Sequence, residues 1–299
     1  RGDSAAARLG SAALALMLFL AACAPTPASP APGRTTVPVR PSATAFPPSP
    51  MATASSTPAC AEPGRWTDFT YEAVALPGEG TALIYLPPCY STEEARYPTA
   101  YFLHGKPYSE QQWIDLGLPQ VIEAAVEDGS LSPLILGLAR QPEPLFSNSD
   151  GGPGSYESEF VEGLVAAVDG SFRTEARPEG RAVVGLSRGG VWALEIAMRN
   201  PGLIEAVAAL SPALAVNYAR DAYDPMQLAD TAERLPPDFL LAAGDGDWAR
   251  RQTEALAARL NARGLAPQVV IVPGDHAEST WAALLPAATA FLQTSLRTD

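Results

Sequence analysis

Residues 181–194 read Arg181-Ala-Val-Val-Gly-Leu-Ser187-Arg-Gly-Gly-Val-Trp-Ala-Leu194. The run Ala182–Leu186 has the unbroken apolar character of a strand buried on both faces. From Gly189 to Arg199 the apolar spacing becomes helical. Gly185-Leu-Ser187-Arg-Gly189 therefore sits on a sharp turn between strand and helix, with Ser187 at its apex. Glycines flank the serine because side chains there would clash with the neighbouring chain, and Gly190 extends the same allowance. The helix opening at this turn aims amide groups at the serine and favours negative charge beside it. A serine hydroxyl is a weak nucleophile and needs a base, usually a histidine oriented by a carboxylate. The chain has only two histidines. His104 lies upstream, before Gly105. His276 lies downstream of both Ser187 and the acidic turn Gly244-Asp-Gly-Asp247.

Working outward, strand-like and helix-like segments alternate. Strands are predicted at 81–86, 99–103, 134–139, 182–186, 206–210, 239–243 and 268–272. Helices are predicted at 119–128, 157–168, 189–199, 248–263 and 281–296. Such alternation implies an α/β fold, a mostly parallel sheet with helices on both faces. Ser187, the Asp245/Asp247 turn, His276 and His104-Gly105 each follow a predicted strand. In a parallel sheet they converge at the carboxyl edge, where ligands collect.

His276, in Gly274-Asp-His276, is placed to take the Ser187 proton and return it to a leaving group. Asp247 is favoured as the orienting acid and Asp245 as a turn-former, since Asp beside Gly commonly shapes turns. Asp224 and Asp275 are weaker candidates. A tetrahedral intermediate needs two amide donors. Arg188 N–H is one, and Lys106 N–H, in the loop after His104-Gly105, is the other, because Pro107 has no N–H. His104 is then a loop-shaping residue. Residues 141–155 are expected to form a rim and 217–237 a small cap. Trp113, Phe146, Trp192 and Tyr218 are candidate aromatic contacts for a substrate, with core packing as the alternative reading of each. Two histidines so placed and scattered cysteines show no zinc-ligand spacing, so no metal and no cofactor are expected.

The stretch from Arg181 to Leu194, with Arg199-Asn-Pro-Gly-Leu203 and Ala209-Leu-Ser-Pro212, resembles the bacterial putative esterase family. That family includes feruloyl esterases, enterobactin-type esterases, S-formylglutathione hydrolases and the antigen 85 mycolyltransferases. Tyr101-Phe-Leu-His-Gly105, Trp113 and Tyr156-Glu-Ser-Glu-Phe160 also match its pattern, and the similarity runs from about Thr81 to Leu292. The resemblance implies an α/β-hydrolase fold, a Ser187–Asp247–His276 triad, and Lys106 and Arg188 as the oxyanion pair. Many members carry Met after the nucleophile, where this chain has Arg188. Its amide serves equally, and its guanidinium is expected to pair with a carboxylate in preference to an acidic substrate group.

The N-terminal 59 residues differ in kind. Arg8 precedes an apolar run, Leu9–Ala22, too short to span a bilayer comfortably. The run ends in Leu20-Ala-Ala-Cys23, which resembles a lipobox, so residues 1–23 read as a lipoprotein signal with Cys23 as the acylated residue; an ordinary signal peptide is the alternative. Multiple acyl chains on Cys23 would hold the protein at a membrane, as an exported cell-envelope lipoprotein. Ten of the 35 residues from Ala24 to Pro58 are proline. Residues 24–59 are accordingly expected to be a disordered tether, and residues 60–299 the catalytic domain. Cys60 and Cys89 form a disulfide candidate in an exported protein, with two free thiols as the alternative.

Up to Ala59 the only acid is Asp3, against four arginines; the remainder is strongly acidic within an overall net charge of −13. Such a body repels phosphate backbones, which argues against a nucleic-acid partner. The expected activity is a serine carboxylic-ester hydrolase acting on a small or polysaccharide-linked ester through an acyl-enzyme. An acyltransferase with the same triad, amide hydrolysis, and a non-catalytic surface-binding lipoprotein are the alternatives. Natural substrate and oligomeric state are not legible in these residues.

Overall fold

The computed structural model describes residues 62–143 and 150–297. Its strands are β1 (Arg65–Glu72), β2 (Glu79–Leu86), β3 (Thr99–Leu103), β4 (Ile135–Ala139), β5 (Arg181–Leu186), β6 (Ala206–Leu210), β7 (Asp238–Gly244) and β8 (Gln268–Val272). They make one sheet in the order β1-β2-β4-β3-β5-β6-β7-β8. β1 pairs antiparallel with β2, and β2 antiparallel with β4. Every later pairing is parallel. This is the topology expected of an α/β-hydrolase.

Side chains alternate across the sheet, as the period-two pleat requires. Tyr101, Leu103 and Val183 enter one core; Ala100, Phe102, Ala182, Val184 and Leu186 enter the other. The first core lies beneath α3 (Tyr156–Ser158), a π-helical stretch Glu159–Val165, α4 (Ala166–Ser171), α5 (Arg188–Arg199), α6 (Pro225–Thr231) and α7 (Arg250–Ala262). The second lies beneath α1 (Gln111–Asp115), α2 (Leu118–Glu127) and α8 (Glu278–Ser295). Both faces are therefore covered, which is why β3, β4, β5 and β6 are buried along their whole length.

Three elements escape the sequence pattern. β1 reads Arg-Trp-Thr-Asp-Phe-Thr-Tyr-Glu, an edge strand of mixed polarity that lacks the apolar run of a buried parallel strand. α1 is five residues long, too short for a helical period to show. Within 217–237, α6 starts at Pro225, with the Asp224 carboxylate accepting Met226 N–H at 3.1 Å, so Asp224 is a helix cap. The predicted plain helix at 157–168 is instead a longer segment with π-helical turns. Its Gly163 accommodates the Tyr71 ring, and its Glu159 carboxylate accepts the amides of Val74 and Ala75 at 2.9 and 2.8 Å.

The expected signal (1–23, with Cys23), the tether (24–59), Cys60 and Phe146 lie outside the described residues, as does the 144–149 part of the expected rim. The pairing of Cys89 with Cys60 falls outside them with Cys60.

Candidate active site

Ser187 follows β5 and caps α5 with φ 53° and ψ −113°, a backbone that side-chain-bearing residues rarely adopt. The surroundings hold it there. Its N–H donates to Leu210 O at 2.9 Å, and its carbonyl accepts from Ala213 N–H at 3.0 Å. A Cβ on Gly189 would collide with the carbonyls of Leu103 and His104, so this glycine lets α5 close onto the end of β3. A Cβ on Gly185 would strike the Gly189 backbone. The flanking glycines are thus required by close approach, as expected.

Ser187 Oγ lies 2.9 Å from His276 Nε2. His276 Nδ1 lies 2.9 and 3.1 Å from the two Asp247 oxygens. Asp247 is buried and also accepts Ala249 N–H at 2.8 Å. Burial alone would raise its carboxyl pKa. Donation from His276, proximity of the Ser211 hydroxyl and the Ala249 amide outweigh burial and hold the pKa below the usual carboxylate value. Ser211 is fully buried with φ 47°; its Oγ is near enough to act electrostatically without making a well-formed hydrogen bond. Asp245 instead accepts Gly274 N–H at 2.9 Å and spans the turns after β7 and β8. Asp245→Asn is therefore expected to keep kcat/KM within a few-fold of wild type, since the amide oxygen still accepts. Steady-state ester hydrolysis checks this, and a loss as large as that of Asp247→Asn would reverse the assignment. Asp275 is exposed and faces Gly246.

His104 is buried and turned away from this chemistry. Gln141 N–H donates to its Nε2 at 3.1 Å, so Nδ1 carries the proton and donates to Gly105 O at 3.0 Å. Burial lowers its pKa and keeps the ring neutral. Gly105 N–H is committed to Gln112 Oε1 at 2.7 Å, and Tyr108 N–H to Gly105 O at 3.0 Å. Lys106 follows Gly105, and its ammonium lies 3.2 Å from Glu143. Arg188, first residue of α5, donates from Nη1 to Asn217 Oδ1 at 3.2 Å and lies over the Trp192 ring at 5.2 Å. Burial lowers the pKa of this guanidinium, and the fields of Glu195 and Glu143 oppose that shift.

Two of the expected aromatic contacts are corrected. Trp113 is fully buried, edge-on to Phe102 at 5.0 Å, and Trp192 is fully buried against Tyr156 at 5.5 Å. Both belong to the cores because their helices turn those faces to the sheet. Trp113→Ala should cost about 3–5 kcal/mol of stability, read by denaturant unfolding, without a specific rise in KM. Tyr218 is 84% exposed beside Asn217. The aromatics that do surround His276 are Trp248, tilted against it at 4.4 Å and half-exposed, and Trp281, edge-on at 5.1 Å. Their sequence signal was adjacency: Trp248 directly follows Asp247, and Trp281 opens the predicted last helix.

A second unpredicted feature lies on α5, two turns beyond Ser187. Glu195 is fully buried, and neither oxygen has a hydrogen-bond partner among the described residues. Gly151 packs against the carboxyls of Glu195 and Glu157. Glu157 is tied to Arg199 Nε at 3.0 Å, Asn200 Nδ2 at 2.8 Å and Gly152 N–H at 2.6 Å. Burial first, then the neighbouring Glu157 charge, pushes the Glu195 carboxyl up to about 9, against the pull of Arg188 and Arg199.

Residues 73–292 match the family described as "Putative esterase". A stretch of 129 residues is 30% identical to an endo-1,4-beta-xylanase/feruloyl esterase of Xylanibacter ruminicola, covering 40% of this chain and 18% of that protein. The chain thus spans less than a fifth of that curated relative. Among solved structures, a ferulic acid esterase superposes with a TM-score of 0.71 at 19% identity, over 79% of this chain and all of the other. The S-formylglutathione hydrolase of Staphylococcus aureus superposes with a TM-score of 0.65 at 16% identity, over 77% and 98% of the two chains. At such identities the superpositions speak for the fold. With the family match spanning most of its length, the chain belongs to this esterase family and has its α/β-hydrolase fold.

Proposed function

We propose that the protein is a serine carboxylic-ester hydrolase. The observation that carries this reading is the line Ser187 Oγ–His276 Nε2 and His276 Nδ1–Asp247, each link 2.9 Å at its shortest. As the serine attacks the ester carbonyl, His276 Nε2 takes its proton and Asp247 stabilises the imidazolium that forms. Arg188 N–H and Lys106 N–H stabilise the oxyanion. Lys106 is the loop residue of choice because the Gly105 and Tyr108 amides are engaged elsewhere and Pro107 has none. His276 then protonates the departing alkoxide, leaving the acyl group on Ser187. Water, deprotonated by the same histidine, hydrolyses the acyl-enzyme.

Esters of aromatic acids are the first natural substrates to try, since the names of two relatives specify feruloyl or ferulic acid esters. Incubation with a fluorophosphonate should give a single adduct on Ser187 and abolish ester hydrolysis. Failure to label an intact, folded protein would remove the catalytic reading in favour of a binding role. From the sequence alone we further propose an acylated Cys23, a tether at 24–59 and a Cys60–Cys89 disulfide. Radiolabelled palmitate incorporation lost in Cys23→Ser, and thiol counting before and after reduction, test them.

A further inference from the structure

Two indoles enclose the base of the candidate triad, and they meet it in different ways. Trp281 stands edge-on to His276, with an angle of 86° between the rings and centroids 5.1 Å apart. It is buried in the core beneath α1, α2 and α8. Trp248 is tilted by only 36°, with its centroid 4.4 Å from that of the imidazole. At that separation and tilt two rings can touch only through their faces. Trp248 lies between two buried residues, Asp247 and Ala249, yet is itself 47% exposed. The turn after β7 fixes its place, because the Asp247 carboxylate accepts Ala249 N–H at 2.8 Å and the Asp247 carbonyl accepts Arg250 N–H at 3.0 Å. Core packing therefore accounts for Trp281. It does not account for Trp248, whose ring is laid against His276.

The charged groups around His276 come from several elements. Asp247 meets Nδ1 at 2.9 Å. In the same turn Asp245 is exposed and holds Gly274 N–H, while Arg250, opening α7, donates to the Asp245 carbonyl at 3.2 Å and to Glu254 at 2.8 Å. Asp275 and Glu278 flank the histidine in sequence and are exposed, Asp275 facing Gly246 and Glu278 the Tyr108 phenol. On the serine side, the Arg188 guanidinium is directed to Asn217 and Trp192. Ser187 and Ser211 bring hydroxyls and no charge. A neutral side chain in place of Trp248 changes none of these charges. When Nε2 takes the Ser187 proton the imidazole becomes a cation, with Asp247 at its Nδ1 and the electron-rich face of the indole against its plane.

We propose that Trp248 is a positioning residue for the reaction, its indole face stabilising the imidazolium form of His276. The proposal rests on the reading of Ser187 and His276 as the catalytic pair. The imidazolium forms twice in each turnover, once as the acyl group passes to Ser187 and once as water removes it, so both halves of the reaction gain. The indole has a second and opposite influence, since shielding the ring from water favours neutral imidazole. Attraction to the π face prevails because 4.4 Å is well inside the range of about 6 Å over which a cation feels an aromatic face. A half-exposed indole also leaves the ring incompletely desolvated.

The test is the pH dependence of kcat/KM for nitrophenyl acetate in the full chain, comparing wild type with Trp248→Leu and Trp248→Phe. The acid limb of that profile reports the essential base of the free enzyme. Leucine keeps apolar bulk without a π face. Trp248→Leu should move the limb to lower pH by about half a pH unit and lower the plateau by about two- to fivefold. Trp248→Phe should restore most of both. The chain has two histidines, so NMR gives two imidazole signals to follow. The signal lost in His276→Ala should titrate at lower pH in Trp248→Leu by the same margin, with no substrate present. A lowered plateau with an unmoved limb makes Trp248 a packing residue, and a limb moved to higher pH makes it a water shield. Either result overturns the proposal and leaves the catalytic pair standing. A wild type that is inactive and unlabelled by fluorophosphonate overturns the catalytic pair and the part of Trp248 together.

Discussion

Ser187→Ala lowers kcat/KM for a nitrophenyl ester by about 10⁴–10⁶-fold, and His276→Ala does so by a similar factor. The double variant is scarcely worse than either single one, because nucleophile and base act as one device and the second loss removes nothing that still works. The residual rate comes from the amide donors and from binding, which neither substitution touches. Asp247→Asn is expected near 10⁴-fold. The amide is close to the shape of the carboxylate, but it supplies no charge for the imidazolium and presents an N–H donor able to turn the ring. Circular dichroism and unfolding curves show whether each variant is folded. Folded single variants within tenfold of wild type would mean that the 2.9 Å contact of Ser187 and His276 is architecture without chemistry.

The second large effect concerns Glu195, whose carboxyl is pushed up to about 9 from an ordinary 4.5. In the unfolded chain this group ionises near its ordinary value; in the folded protein it stays protonated until about pH 9. Between those values the folded state binds the extra proton, so stability falls as pH rises. The penalty is absent below pH 4.5, grows through neutrality, and is complete above about 9, at an upper limit on the order of 6 kcal/mol. Glu195→Gln removes the ionisation and places an amide donor where Glu157 can accept. Its melting temperature should therefore exceed that of wild type by a margin that opens above pH 4.5 and widens toward pH 9. An equal margin at every pH from 4 to 10 would show that Glu195 does not titrate as described. The penalty is borne by α5, the helix that carries the serine turn, so loss of activity on the alkaline side should also be delayed in the variant.

How far the sequence reached depended on whether a signal was local. Buried parallel strands announce themselves because both faces meet apolar helices, and 99–103 and 206–210 are read with the observed bounds; 268–272 is read with its observed bounds too, from its apolar run alone, since β8 is a partly exposed edge strand. β1 gave no such signal, since an antiparallel edge strand carries polar residues that solvate it. Gly185, Ser187 and Gly189 were legible because a strand-to-helix turn tolerates few alternatives, and His276 because the chain offers only one other histidine. The sequence favours Asp247 over Asp245, but the geometry that separates their roles exists only where β7 and β8 lie side by side. One acid then faces the imidazole and the other ties down the Gly274 amide.

Aromatic residues were the least legible. Trp113 and Trp192 are exposed or buried according to which helix face meets the sheet, whereas Trp248, in the turn after β7, and Trp281, in the first turn of α8, both meet the loop that carries His276. The guanidinium of Arg188 likewise meets Asn217, from a segment that follows β6. Reaction chemistry was thus determined by the sequence itself, because a nucleophile, a base and a tight turn need particular residue types at particular spacings. Tertiary structure alone decided the ring contact of Trp248 with His276, the neutral buried Glu195 and the burial of each tryptophan. Those depend on distances between segments far apart in the chain, which packing sets and residue order does not record.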